Sequence, residues 1–283
     1  MTLPQPVVTT YVRDDLVMTA RHWEPSQPTC LPPVVLVHGI GVSSRYFRRL
    51  AEELARSTRV IALDLPGFGP NKRPRRRLSV EAFGALVADY LENIGSDAPI
   101  LVGHSMGAQI VVETARRLPT EGLVLIGPVV DERAPTALRQ GLRLARDGLH
   151  ESVSSNWIVA TDYLRSGIRW YLSELPAMLT YRIEKHLPHV DVPVLVVRGA
   201  EDPVAPEGWA RALARRSPGA RVVSIPGSGH VVQHTASTAV ADEITRFAAR
   251  LPLVTPRDAV SSSSSGEDSA PPEQGSVAGT STP

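Results

Sequence analysis

The chain has 283 residues, 42% of them apolar, and its 30 basic and 29 acidic side chains leave a formal net charge of +1. That balance gives no global field to recruit nucleic acid or an anionic membrane. The length and apolar content suit one large α/β domain with an insertion, and no stretch of about 18 apolar residues reads as a membrane span. A single cysteine, Cys30, excludes an internal disulfide framework and a multi-cysteine metal site. We therefore expect a small-molecule substrate bound locally, no metal or other cofactor, and no nucleic-acid or membrane partner. The N-terminal residues lack a basic segment followed by an apolar run, so the expected location is cytoplasmic. Nothing in the sequence sets an oligomeric state.

In chain order, Val7 to Val12 and Leu16 to Trp23 are β-prone runs split by Arg13-Asp14-Asp15, which predicts an opening antiparallel hairpin. Val34 to Val37 is an unbroken apolar run, the pattern of a strand buried on both faces of a parallel sheet. The segment His38-Gly39-Ile40-Gly41 follows it. Tyr46 to Arg56 has helical spacing at Phe47, Leu50, Ala51 and Leu54. The run Val60 to Leu63 leads into Asp64-Leu65-Pro66-Gly67-Phe68-Gly69, a turn whose glycines and proline fix a loop. A basic stretch, 72–77, comes next, and reads as a solvated loop in preference to an anion site. Val80 to Ile94 is again helical in period.

The next strand, Ile100 to Val102, runs into Gly103-His104-Ser105-Met106-Gly107, which fits a nucleophile elbow of the G-x-S-x-G type. At a sharp strand-to-helix turn the serine is forced outward, and glycines two residues to either side remove the Cβ atoms that would clash with the neighbouring strand and helix. After Leu123 to Ile126 the pattern loses parallel-strand runs. Residues 129–190 instead carry helical periods, at Leu138 to Leu149, Val153 to Tyr171 and Leu175 to His186, and are read as an inserted helical cap. The core is then 1–128 with 191–254. Val194 to Val197 and Val222 to Ile225 are the last two buried strands, each followed at once by a polar loop: Arg198 to Val204, and Gly227-Ser228-Gly229-His230. From residue 255 to 283 almost no large apolar residue occurs, and such a composition is expected to be a disordered tail.

Three residues in these loops fit nucleophilic catalysis. A serine hydroxyl is a weak nucleophile until an imidazole accepts its proton, and the imidazole needs a carboxylate to hold its tautomer. Ser105 is the nucleophile, His230 the base and Asp202 the orienting acid. Asp131 and Glu201 stand as alternatives to Asp202, and His234 as the alternative to His230. Ile40 and Met106 are the expected oxyanion donors through their backbone N–H groups. His38 and His104 are read as shaping the loops that carry them. Trp157, Trp170 and Tyr171 are candidates for the substrate pocket, against ordinary packing between cap and core. A dinucleotide site is the competing reading, since Gly39-Ile40-Gly41 follows a strand and Asp64 closes the next. Ser44 stands where its third glycine belongs, and that reading leaves the elbow without a purpose.

Together, His38-Gly39-Ile40-Gly41, Asp64 to Gly69, Gly103 to Gly107, Gly199 to Asp202 and Gly227 to His230 resemble the α/β-hydrolase superfamily, with coverage from about Thr9 to Leu251. The resemblance implies a mostly parallel, doubly wound sheet with an inserted cap, and the same roles for Ser105, Asp202, His230, Ile40 and Met106. The branch it looks most like is the capped bacterial serine hydrolases: carboxylesterases, lactonases, carbon–carbon bond hydrolases and cofactor-free haloperoxidases. The activity it implies is cleavage of a small or medium carboxylic ester. Carbon–carbon cleavage of ring-cleavage products, lactonase or cofactor-free haloperoxidase-like activity, and a non-catalytic ligand-binding module on the same fold are the alternatives. Two departures from the resemblance stand outside the triad: the basic stretch after Gly69, and Gln233-His234, where relatives often place an acidic residue.

Overall fold

In the computed structural model, which describes residues 5–96, 98–131 and 168–251, the apolar runs line up as one eight-stranded sheet. The first two strands, β1 (Val7–Arg13) and β2 (Leu16–Trp23), form the expected antiparallel hairpin. They are followed by β3 (Val34–Val37), β4 (Val60–Asp64), β5 (Ile100–His104), β6 (Gly122–Ile126), β7 (Val194–Gly199) and β8 (Arg221–Ile225). Their spatial order is β1-β2-β4-β3-β5-β6-β7-β8. The β2–β4 pair is antiparallel and every pairing from β4 to β8 is parallel.

Because successive side chains of a strand point to opposite faces, an unbroken apolar run must feed two cores. It does so here. Val35, Val37, Ile61, Leu63, Leu101 and Leu123 join one cluster with Phe83, Leu86 and Leu91 of α2 (Val80–Asn93) and with Ile110 of α3 (Met106–Ala115). Val34, Leu36, Val60, Ile100, Val102 and Val124 join the other, with Leu50 and Leu54 of α1 (Arg48–Leu54) and with Val240 and Ile244 near the end of the compact unit. The helix expected over Tyr46 to Arg56 is split: a 3-10 turn, Ser44–Phe47, precedes α1. Its start is set from outside the segment, because the Asp64 carboxylate accepts the Ser44 N–H at 2.6 Å.

Within the expected cap, 132–167 lie outside the described residues, and so does the tail expected at 255–283. The rest of the cap holds α4 (Ile168–Thr180), α5 (Ile183–His186) and a 3-10 turn, Leu187–His189. The expected boundary between a helix ending at Tyr171 and one starting at Leu175 is therefore corrected: helix runs through it and stops after Thr180. The cause is a side chain from α3, since the buried Gln109 amide donates to the carbonyls of Met178 (2.9 Å) and Tyr181 (3.3 Å) and so takes up backbone acceptors that a helix end leaves over. After β7 come α6 (Glu207–Ala214), α7 (Val232–Thr235) and α8 (Ser237–Ala248). No described helix is long and apolar enough to cross a membrane. The basic side chains Lys72, Arg73, Arg75, Arg76 and Arg77 are exposed, while Pro74 and Leu78 anchor the loop inward.

Parallel register brings the carboxyl ends of the central strands level, with Val37 opposite Gly103, His104 opposite Ile126, and Gly199 opposite Ile225. All the segments singled out for chemistry leave the sheet at this one edge.

Candidate active site

Ser105 lies between β5 and α3 at φ 57°, ψ −118°, a left-handed backbone that a non-glycine residue holds at a cost of about 1–3 kcal/mol. The flanking glycines show what enforces it. A Cβ on Gly103 would sit 2.2 Å from the Gly107 carbonyl oxygen, and a Cβ on Gly107 would sit 2.1 Å from that of Val37. Strand, turn and helix therefore meet backbone to backbone, and the serine between them is turned away from the sheet. Met106, fully buried, opens α3, so its N–H is one of those an α-helix does not use internally.

His230 and Asp202 meet: Nδ1 of the imidazole is 2.9 Å from Oδ2 of the carboxylate. The other carboxylate oxygen accepts the N–H groups of Val204 (2.7 Å) and Ala205 (3.0 Å). Burial opposes ionisation of Asp202 most strongly, but the charge and hydrogen bond of His230 together with those two amides outweigh it and hold the carboxyl below its ordinary pKa. Glu201 is exposed, whereas Asp202 is buried. Asp131 is buried as well, but the carboxylate on His230 Nδ1 is that of Asp202. His234 belongs to α7.

The serine and the His–Asp pair flank the carboxyl end of β6. The Ser105 N–H donates to the Ile126 carbonyl at 2.9 Å. The next residue, Gly127 at φ 50°, lies against the pair: a Cβ there would be 3.0 Å from His230 Nδ1 and 3.2 Å from Asp202 Oδ2. The elbow itself touches the histidine loop, since His104 Nε2 is 2.9 Å from the His230 carbonyl oxygen and the two imidazole rings are 4.7 Å apart. Burial, and then the neighbouring His230, push His104 down to about 3, so it is neutral.

The loop carrying Ile40 is held by its own side chains. The Leu65 N–H donates to His38 Nε2 at 3.0 Å, so the ring proton is on Nδ1, which donates to the Gly39 carbonyl at 2.7 Å. Trp170 of α4 packs on the turn at Gly67, where a Cβ would lie 2.5 Å from its indole, with the Phe68 ring 6.2 Å away. Tyr171 is half-buried against the same core, and Trp157 lies outside the described residues.

A family model described as "Alpha/beta hydrolase family" matches residues 34–243. The chain belongs to the alpha/beta hydrolase family. It is 28% identical over 230 residues to a polyketide synthase, ThaQ, of Burkholderia thailandensis; the match takes in 71% of this chain and 11% of that protein. It is 40% identical over 103 residues to a 2-hydroxy-6-oxo-2,4-heptadienoate hydrolase of Pseudomonas putida, taking in 34% of this chain and 37% of that one. The chain thus spans a minor part of each of these relatives. A thermophilic esterase from Thermogutta terrifontis has the same fold at a TM-score of 0.69 and 22% identity, over 86% of this chain and 98% of that one.

Three further residues of this alpha/beta hydrolase carry the site without having been assigned a role from sequence. The buried Arg198 guanidinium donates to the carbonyls of Ala205 (2.8 Å), Ala200 (3.1 Å) and Asp202 (3.2 Å), clamping the loop that presents the carboxylate. An arginine closing an otherwise apolar strand run was the available signal. Gly127 gives the imidazole room, and a glycine directly after β6 was its signal. Tyr46 bonds both the Ile40 loop and the elbow, and nothing local in the sequence marks it.

Proposed function

We propose that this chain is a serine hydrolase that cleaves a small or medium carboxylic ester through an acyl-enzyme on Ser105. The observation that carries the reading is the buried His230–Asp202 pair, 2.9 Å apart, beside a serine held at positive φ on the same sheet edge. With Asp202 accepting from Nδ1, the imidazole presents Nε2 as the basic nitrogen.

Ser105 Oγ attacks the acyl carbonyl while its proton passes to His230 Nε2. The carbonyl oxygen takes up the negative charge and is met by the N–H groups of Ile40 and Met106, each worth about 3–4 kcal/mol when such a donor is lost. Collapse of the tetrahedral intermediate breaks the bond to the alcohol, which leaves with the proton held by His230. Water then attacks the acyl-enzyme by the same route in reverse, with His230 taking the proton of the water and returning it to Ser105. Asp202 stays ionised throughout and stabilises the imidazolium. Trp170 and Tyr171 form part of the wall that bounds the acyl chain from the α4 side.

The test is hydrolysis of a panel of p-nitrophenyl esters of increasing acyl length. The protein turns over at least the short esters and the Ser105→Ala variant turns over none; turnover persisting in that variant overturns the assignment. The likeness to the Pseudomonas hydrolase over 103 residues favours a second reading, carbon–carbon cleavage of a vinylogous diketone by the same residues. A ring-cleavage product hydrolysed faster than every ester in the panel selects it.

A further inference from the structure

A chain of buried hydrogen bonds joins the Ile40 loop to the histidine loop through two side chains that the reaction itself does not use. The Gly39 N–H is 2.9 Å from the Tyr46 hydroxyl oxygen, that oxygen is 2.9 Å from His104 Nδ1, and His104 Nε2 is 2.9 Å from the carbonyl oxygen of His230. The direction of every bond follows from the two ends. A carbonyl only accepts, so His104 carries its proton on Nε2. His104 is neutral, so its Nδ1 is bare and accepts the Tyr46 O–H. Having donated its one proton, the Tyr46 oxygen accepts the Gly39 N–H. Tyr46 is 1% exposed, so no bulk water stands in for these partners.

Gly39 is thereby held on both sides, its N–H by Tyr46 and its carbonyl by His38 Nδ1. The Gly39–Ile40 peptide is planar and trans, so the Ile40 N–H points opposite to the Gly39 carbonyl, and fixing the residue fixes the direction of that N–H. We propose that Tyr46, working through His104, is a positioning residue that aims the Ile40 N–H at the developing oxyanion and keeps it in register with His230. The proposal rests on the serine-hydrolase reading above. A role in packing alone is the competing account, since the Tyr46 ring also lies 4.5 Å from Phe47 and 5.3 Å from the His104 ring.

Tyr46→Phe keeps the ring and removes both hydroxyl bonds. An oxyanion donor displaced from its line is expected to lower kcat about 10- to 100-fold. KM stays within about threefold, because the ground-state carbonyl uses that donor little. A boronic acid, whose tetrahedral serine adduct places an oxygen where the oxyanion forms, loses affinity by the same factor as kcat/KM. His104→Phe keeps a ring but removes both nitrogens, so it interrupts the relay at its next member and gives the same pattern, and the double variant is no worse than the poorer single one, as expected of groups acting in series. If Tyr46→Phe does not accumulate as folded protein, His104→Phe carries the kcat and boronate measurements alone. A kcat equal to that of the parent per folded molecule, a fall in kcat with boronate affinity unchanged, or additive losses in the double variant would each overturn the relay. Ser105→Ala separates the two failures. An active Ser105→Ala sinks the serine reading and the relay with it, whereas an inactive one beside a parent-like Tyr46→Phe sinks the relay alone.

Discussion

Replacing Asp202 by asparagine should silence the enzyme through proton placement, with the fold kept. One oxygen of this carboxylate accepts two backbone N–H groups, Val204 at 2.7 Å and Ala205 at 3.0 Å, and the other faces His230 Nδ1 at 2.9 Å. In Asp202→Asn the two amides demand an acceptor, so the carbonyl oxygen of the new side chain stays with them and its NH2 is turned towards His230. A donor facing Nδ1 pulls the ring proton to Nε2, and Nε2 can then no longer accept the proton of Ser105. Loss of the correct tautomer together with the ion pair lowers kcat by about 10⁴ in a triad of this kind, or about 5.4 kcal/mol of transition-state stabilisation. The assay is steady-state turnover of a p-nitrophenyl ester, normalised to folded protein by near-ultraviolet circular dichroism. A loss smaller than about 100-fold would contradict the reasoning, since it would leave Nε2 still able to accept the proton of Ser105.

Gly107→Ala should fail both as a fold and as a catalyst. The added Cβ would lie 2.1 Å from the Val37 carbonyl oxygen and 2.8 Å from that of His38, so β3 and the Ile40 loop must move away from α3. A loss of about 3 kcal/mol or more, seen as a Tm about 6 °C lower by calorimetry, is expected, and an unchanged Tm would refute the close approach. Glu174 of α4 gives a pH test. It is fully buried, and burial pushes its carboxyl up to about 7 against the opposing influence of the Leu78 backbone, Arg77 and Ser173. Its folded pKa lies above the unfolded value of about 4.3, so between these pH values the folded state binds more protons and stability falls as pH rises, by up to about 3.5 kcal/mol at pH 8. Glu174→Gln should therefore flatten the fall in Tm between about pH 5 and pH 8, and equal slopes for the two proteins would exclude that origin.

What could be read from the sequence divides along the range of the interaction. The strands were legible because a strand buried on two faces must be apolar at every position, as in Val34 to Val37 and Val194 to Val197. The elbow was legible because its two glycines stand at fixed places two residues either side of Ser105, although the Val37 carbonyl that excludes a Cβ at Gly107 comes from a distant strand, and the meeting of His230 with Asp202 followed from both lying just beyond adjacent strand ends. Contacts set by distant partners left no such trace. Tyr46 and His104 are 58 positions apart and His104 and His230 are 126 apart, and no periodicity brings them together. In the same way the end of α4 is set by Gln109, 69 residues before Met178, and helical spacing within the segment misplaced the break. Gly67 marked a turn and Trp170 was a candidate from the expected cap, but nothing in the sequence paired the two.

The central claim is that Ser105 is the nucleophile, and covalent capture tests it most directly. A fluorophosphonate probe should add once per chain by intact mass, and peptide mapping should place the adduct on Ser105, with labelling abolished in Ser105→Ala and slowed in Asp202→Asn. Labelling of a different residue, or undiminished labelling of Ser105→Ala, would contradict the account.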